Sequence, residues 1–163
     1  LGSVRERAVL PGHSIARWVD FAGSAGDVEL GVNESRRLEP GSYGHVVVPA
    51  GATLRLGSGR YRFASLAVAR TGALAVEASA VTLHVAEALV HQGVTRVADS
   101  AAAFVLGYFG TAPATIDASF TGTVVAPNAE LVLGAVRNAS YRGAFFARVL
   151  EVRPTSSVEY ADQ

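Results

Sequence analysis

The feature that most constrains this chain is a recurrence of short, alternating apolar runs about twenty residues apart. Leu54 and Leu56 recur as Leu74 and Val76. Val46 and Val48 recur as Leu66 and Val68, and Tyr61 and Phe63 as Val81 and Leu83, at the same spacing. Within a run apolar and polar residues alternate, as in Thr53-Leu54-Arg55-Leu56 and Val81-Thr82-Leu83-His84-Val85. Alternation with period two turns one side of a strand inward and the other outward. Gly, Pro, Ala and Ser interrupt the runs, so the elements are short strands with close turns. Three such groups per period describe one coil of a β-solenoid with three strands per turn. Residues 87–91 and 100–106 are rich in Ala, but they are too short to hold a helix alone and read as strand or loop.

A β-sandwich is the competing all-β architecture. Its hairpins favour Asn-Gly or Asp-Gly turns, and neither dipeptide occurs here. In a solenoid each strand pairs with the strand one coil on, about 4.8 Å away, and inward side chains stack in ladders of like residues. Leu over Leu and Val over Leu fit that arrangement. The expected fold is therefore an all-β, right-handed β-solenoid over residues 40–153, with five or six coils of about twenty residues and a length of about 25 to 30 Å. A second internal likeness joins Val47-Val48-Pro49-Ala50-Gly51-Ala52-Thr53-Leu54-Arg55-Leu56-Gly57 to Val125-Ala126-Pro127-Asn128-Ala129-Glu130-Leu131-Val132-Leu133-Gly134, and reads as one coil written twice. Residues 1–39 do not follow the period. They are expected to be leading strands and a cap over the open end, with Trp18 and Phe21 as the plug. Residues 154–163 form a short polar tail. The cap at one end and the short tail at the other predict a monomer or a weak dimer.

Composition removes whole classes of chemistry. The chain has 163 residues, no Cys and no Met, and all 14 of its cations are Arg. Without Cys there are no disulfides, iron–sulfur clusters or thiol nucleophiles. Without Lys there is no Schiff-base lysine and no P-loop lysine. The 14 Arg balance 14 Asp and Glu, which argues against a nucleic-acid partner. No apolar run is long enough for a transmembrane segment. The Lys-free, Ala- and Val-rich usage is typical of a GC-rich bacterial genome. A first residue other than Met reads as a processed protein or excised fragment, which allows a secreted origin.

Several blocks also carry a family resemblance. They are Leu38-Glu39-Pro40-Gly41-Ser42-Tyr43-Gly44, the stretch 51–63, Phe120-Thr121-Gly122-Thr123-Val124-Val125-Ala126-Pro127-Asn128-Ala129, and Tyr141-Arg142-Gly143-Ala144-Phe145-Phe146-Ala147. In this order they resemble the β-helical domain of bacterial secreted and surface proteins, including the choice-of-anchor A group and pilus-associated relatives. There, a Gly-Thr-x-x-Ala-Pro-Asn-Ala corner precedes an x-Gly-x-x-x-Ala strand. The resemblance spans residues 38–153 and implies a secreted or cell-surface scaffold with an adhesin-like role. It supplies no catalytic residues.

Candidate sites are few. The loop Gly107-Tyr108-Phe109-Gly110 places aromatics between glycines, which suits either stacking on a sugar or plugging a corner. Arg55, Arg60, Arg62 and Arg70, with no acid among them before Glu77, form a candidate basic stripe for an acidic glycan or a partner's carboxylate. The competing reading is a solvated face guarding against strand pairing. Pro49, Gly57, Gly59, Pro127 and Asn128 are expected at structural corners, Asn128 bonding along the stack. The histidines His13, His45, His84 and His91 lack metal-ligand spacing and read as solvent-facing, His84 and His91 in different elements. Asp99 and Asp117 stack on no other acid at a twenty-residue period, so the paired carboxylates of a polysaccharide lyase or hydrolase are missing. Gly57-Ser58-Gly59 is a turn, not a nucleophile elbow. The sequons at Asn33 and Asn138 carry little meaning in a bacterium. No cofactor or metal is implied. The leading expectation is a non-enzymatic, adhesin-like scaffold whose partners are surface polysaccharide or other surface proteins. The alternative is a carbohydrate-binding module, and a polysaccharide-active enzyme comes third.

Overall fold

The computed structural model describes residues 25–98, 104–134, 138–154 and 156–160. Within them every regular element is a strand. In chain order these are β1 (Val28–Glu29), β2 (Ser35–Leu38), β3 (Gly41–Val48), β4 (Thr53–Leu56), β5 (Gly59–Val68), β6 (Ala73–Val76), β7 (Val81–His91), β8 (Val94–Val97), β9 (Phe104–Tyr108), β10 (Ala114–Ile116), β11 (Phe120–Thr121), β12 (Thr123–Leu133), β13 (Ser140–Arg142), β14 (Phe145–Val152) and β15 (Ser157–Glu159). All recorded pairings are parallel, and each joins a strand to its counterpart one coil away. The fold is a β-solenoid of about six turns.

Each turn has three faces. The long strands β5 and β12 break their alternation at Ala64–Ser65 and at Pro127–Asn128, and there the chain turns a corner. The eight-stranded sheet thus supplies two faces. The first is built from residues 59–63, 81–85, 104–108 and 123–125, the second from 65–68, 88–91, 114–116 and 130–133. The third face comprises β2-β4-β6-β8 followed by β11-β13-β15. Inward residues of all three faces form one core. Leu38, Leu56 and Val76 stack in register, as do Val46, Leu66 and Leu89. Burying a Leu or Val side chain contributes about 1.5 to 3 kcal/mol, and parallel ladders satisfy the backbone between coils.

The spacing of twenty holds where the sequence shows it most plainly. Leu54 pairs with Leu74 and Val46 with Leu66. It then slips. Tyr61 pairs with Leu83 and Phe63 with Val85, not with Val81 and Leu83. The cause is a corner two residues longer: the turn between Val76 and Val81 replaces the shorter one between Leu56 and Gly59, with Ala80 in a left-handed conformation at φ 62°. The offset reaches 25 where Thr115 pairs with Val90. Long corners are absorbed on the surface while the strands keep register with the core.

The solenoid also extends past the expected boundaries at 40 and 153. β1 and β2 already pair with β3 and β4, and β15 pairs with β13. Residues 25–38 are thus coil in register, and part of the expected tail is strand. Trp18 and Phe21 lie outside the described residues. The segments thought to repeat one coil sit at different corners. Pro49 follows β3 between the second and third faces, whereas Pro127 lies inside β12 between the first and second. Similar wording encodes a Pro-containing bend that serves either corner.

Candidate functional site

The corners explain the tyrosines. The Tyr61 hydroxyl donates to the carbonyls of Gly57 (3.1 Å) and Leu38 (3.2 Å), which belong to the same corner on successive coils. The Tyr108 hydroxyl likewise reaches Glu87 O (2.9 Å) and Ala112 O (3.0 Å) at the next corner. The Tyr141 hydroxyl donates to Ile116 O at 2.8 Å, a carbonyl that also accepts the Gly134 N–H at 3.1 Å. Each corner type therefore has a buried tyrosine stapling adjacent coils. Burial holds all three phenols above their ordinary range, Tyr141 at about 12.

This corrects one candidate. Tyr108 has 0% exposure and a satisfied hydroxyl, so its ring offers no surface to a sugar. Of the aromatic pair only Phe109 reaches the outside. Gly57 and Gly59 lie at the corner between the third and first faces, Gly59 at φ 137°. Asn128 donates from Nδ2 to Phe109 O at 3.2 Å, one coil away.

The four candidate arginines do not form one stripe. Arg55 projects from the third face and pairs with Glu77, which also faces Arg37 at 3.9 Å. Arg70 is exposed at the corner between the second and third faces. Arg60 and Arg62 lie together on the first face, Arg60 beside Thr82 and Arg62 beside His84. A uniform period of twenty would set Arg62 next to Thr82. The longer corner before Val81 moved the register by two.

His84 is half-buried and outward. Burial lowers its pKa most, and the charges of Arg62 and then Arg60 lower it further. The Phe109 ring meets it edge to face, at 5.3 Å between centroids and 84° between planes. Both rings close over Gly107, where a Cβ would lie 3.1 Å from each.

His91 departs furthest from expectation. It shares β7 with His84, and it is buried in the core rather than solvent-facing. Its Nε2 is 2.8 Å from Thr95 Oγ1, its ring stands against Phe120 at 6.0 Å, and Nδ1 has no hydrogen-bond partner. Nearby, Gln92 Nε2 donates to Asp117 Oδ2 at 3.2 Å. The neighbour of Asp117 was missed in the sequence because the local offset is 25, not twenty. Burial pushes the His91 imidazole down from 6.5 to about 4, opposed by the backbone at His91 and Gly93. The folded state therefore holds the neutral ring while the unfolded chain protonates below pH 6.5. Stability is unaffected above that pH, falls as pH drops from 6.5 toward 4, and levels off below it. The expected loss is about 3 kcal/mol, the linkage cost of a fall from 6.5 to about 4. Denaturant titrations of the wild type and His91→Gln at pH 7, 5.5 and 4 check this. The variant should lose less stability over the range, and parallel curves would refute the assignment.

Among the described residues no three His, Cys, Asp or Glu side chains are grouped to hold a metal ion. His13 and Asp99 lie outside those residues. Among the described residues no helix is long and apolar enough to cross a membrane.

No family model, curated protein or solved structure matches this chain. The reading of the surface therefore rests on its chemistry.

Proposed function

We propose that this chain is a non-enzymatic β-solenoid module that serves as a scaffold or adhesin-like display unit, secreted or on the surface of a bacterium. The observation that carries this reading is the parallel pairing between coils, continuous through the eight-stranded sheet, which makes a rigid prism with flat outward faces. Core residues from Leu54 to Leu133 have almost no exposure, so the interior is filled with side chains. Such a body holds its outward side chains at fixed spacings, about 4.8 Å between coils, which suits display.

The coil formed by β14 and β15 leaves apolar side chains exposed. Leu150, Val152 and Val158 are in register with buried Leu131, Leu133 and Tyr141, yet are 42%, 41% and 44% exposed. The proposed module is a monomer or weak dimer, and long filaments in sedimentation would contradict that. The test of the display role is antibody labelling of intact producing cells or of their culture medium. Labelling without permeabilisation, or recovery from the medium, is expected. Signal that appears only after permeabilisation overturns the reading.

A further inference from the structure

Among the described residues, the first face carries positive charge that no acid on that face balances. Outward positions of β5 are Arg60 and Arg62, those of β7 are Thr82 and His84, and those of β9 are Val105 and Gly107. None of these is a carboxylate. The ion pairs formed among the described residues engage Arg36, Arg37, Arg55, Arg142 and Arg153, and leave Arg60 and Arg62 out. The Nε of Arg62 is shielded from solvent and has no acceptor. With no carboxylate of the described residues paired to either guanidinium, the two charges are left to attract an anion.

The surroundings narrow the kind of anion. Phe109 folds back over Gly107 onto His84, leaving an aromatic surface beside the cations. A side chain at 107 would press on both rings. Arg62, His84 and Gly107 lie on three successive strands in one register, so the patch spans about 10 Å across the sheet. That is the span of a disaccharide. A sugar ring presents an apolar C–H face to an aromatic, while a carboxylate takes two parallel donors from an arginine.

We infer that the first face binds an acidic polysaccharide, with a uronic-acid carboxylate on Arg60 and Arg62 and the adjoining sugar ring on Phe109 beside His84. The charge of the face is complementary to that ligand. The site goes beyond the display role, and its failure would leave that role standing.

Isothermal titration calorimetry with oligogalacturonate tests the site, with a neutral cello-oligosaccharide and poly-glutamate as comparison ligands. Oligogalacturonate should bind, more weakly as salt rises, and more tightly than either comparison. Arg62→Gln, Arg60→Gln and Phe109→Ala should each weaken binding about tenfold, the effect of losing one good contact. Arg70→Gln, which removes a charge at another corner, should leave affinity unchanged. Thermal unfolding of each variant verifies that the solenoid is intact. Absence of oligogalacturonate binding overturns the inference. So does equal affinity for poly-glutamate, which would make the patch a general anion surface. Equal weakening by Arg70→Gln would show that total charge, not this site, is being read.

Discussion

Replacing Phe120 by alanine is expected to destabilise the protein by about 4 kcal/mol, within the range for deleting a buried aromatic side chain. Phe120 is fully buried and sits where the solenoid is most thinly joined. Its ring packs against Phe104 at 5.7 Å, His91 at 6.0 Å and Phe145 at 6.1 Å, so it contacts the coils on either side of its own. The strand it opens, β11, has only two residues. The third face changes sheet there, from β2-β4-β6-β8 to β11-β13-β15. A bond from Thr95 N–H to Ser119 O, at 3.3 Å, crosses that junction. On the second face β10 meets β7 over only two residue pairs. In a solenoid, stability is a sum of coil terms and interface terms, so weakening one interface uncouples its two sides. Hydrogen exchange of Phe120→Ala should show amides of β11 to β15 opening at lower free energy than those of β4 and β6. Uniform loss across all coils would show that the junction is not the weak point.

Gly143→Ala is expected to cost on the order of 3 kcal/mol, by forcing a side chain into a backbone conformation open essentially to glycine alone. Gly143 has φ 137°, and its neighbour one coil back, Gly122, has φ 140°. A Cβ at 143 would collide with the Gly122 carbonyl oxygen, which belongs to rigid backbone. Gly59 adopts the same conformation, at φ 137°, at the same type of corner. Gly41→Ala is the control. Its φ is ordinary, and a Cβ there would meet nothing closer than 3.7 Å. Urea unfolding should separate the two variants clearly, with Gly41→Ala within about 1 kcal/mol of wild type. Similar midpoints would refute the corner argument.

Much of the fold was legible because alternation and recurrence are local properties of a chain. Leu54, Leu56, Leu74 and Val76 announce two strands and their stacking without any knowledge of the rest. The candidate site was less legible. Tyr108 and Phe109 are adjacent aromatics between glycines, and nothing in the residues says which one faces in. The parity of β9 decides it: Phe104, Leu106 and Tyr108 share the inward phase, which leaves Phe109 outside. Arg55, Arg60, Arg62 and Arg70 look like one cluster along the chain. A coil wraps them onto two faces and a corner, and only Arg60 and Arg62 remain neighbours. The burial of His91 was hidden for a similar reason. It holds an inward phase beside Leu89, but a histidine there carried no apolar signal.

The sequence by itself determined the class of fold, the strand parity of the regular coils and the exclusion of thiol and lysine chemistry. These follow from side-chain type and period. The tertiary structure alone decided the register where coils lengthen, the tyrosine staples, the buried His91 and the meeting of Arg60, Arg62, His84 and Phe109. The physical reason is that a corner can gain residues at little cost on the surface, while core ladders demand that strands realign. The twenty-residue spacing therefore identifies the solenoid, but which side chains become neighbours depends on the length of each corner.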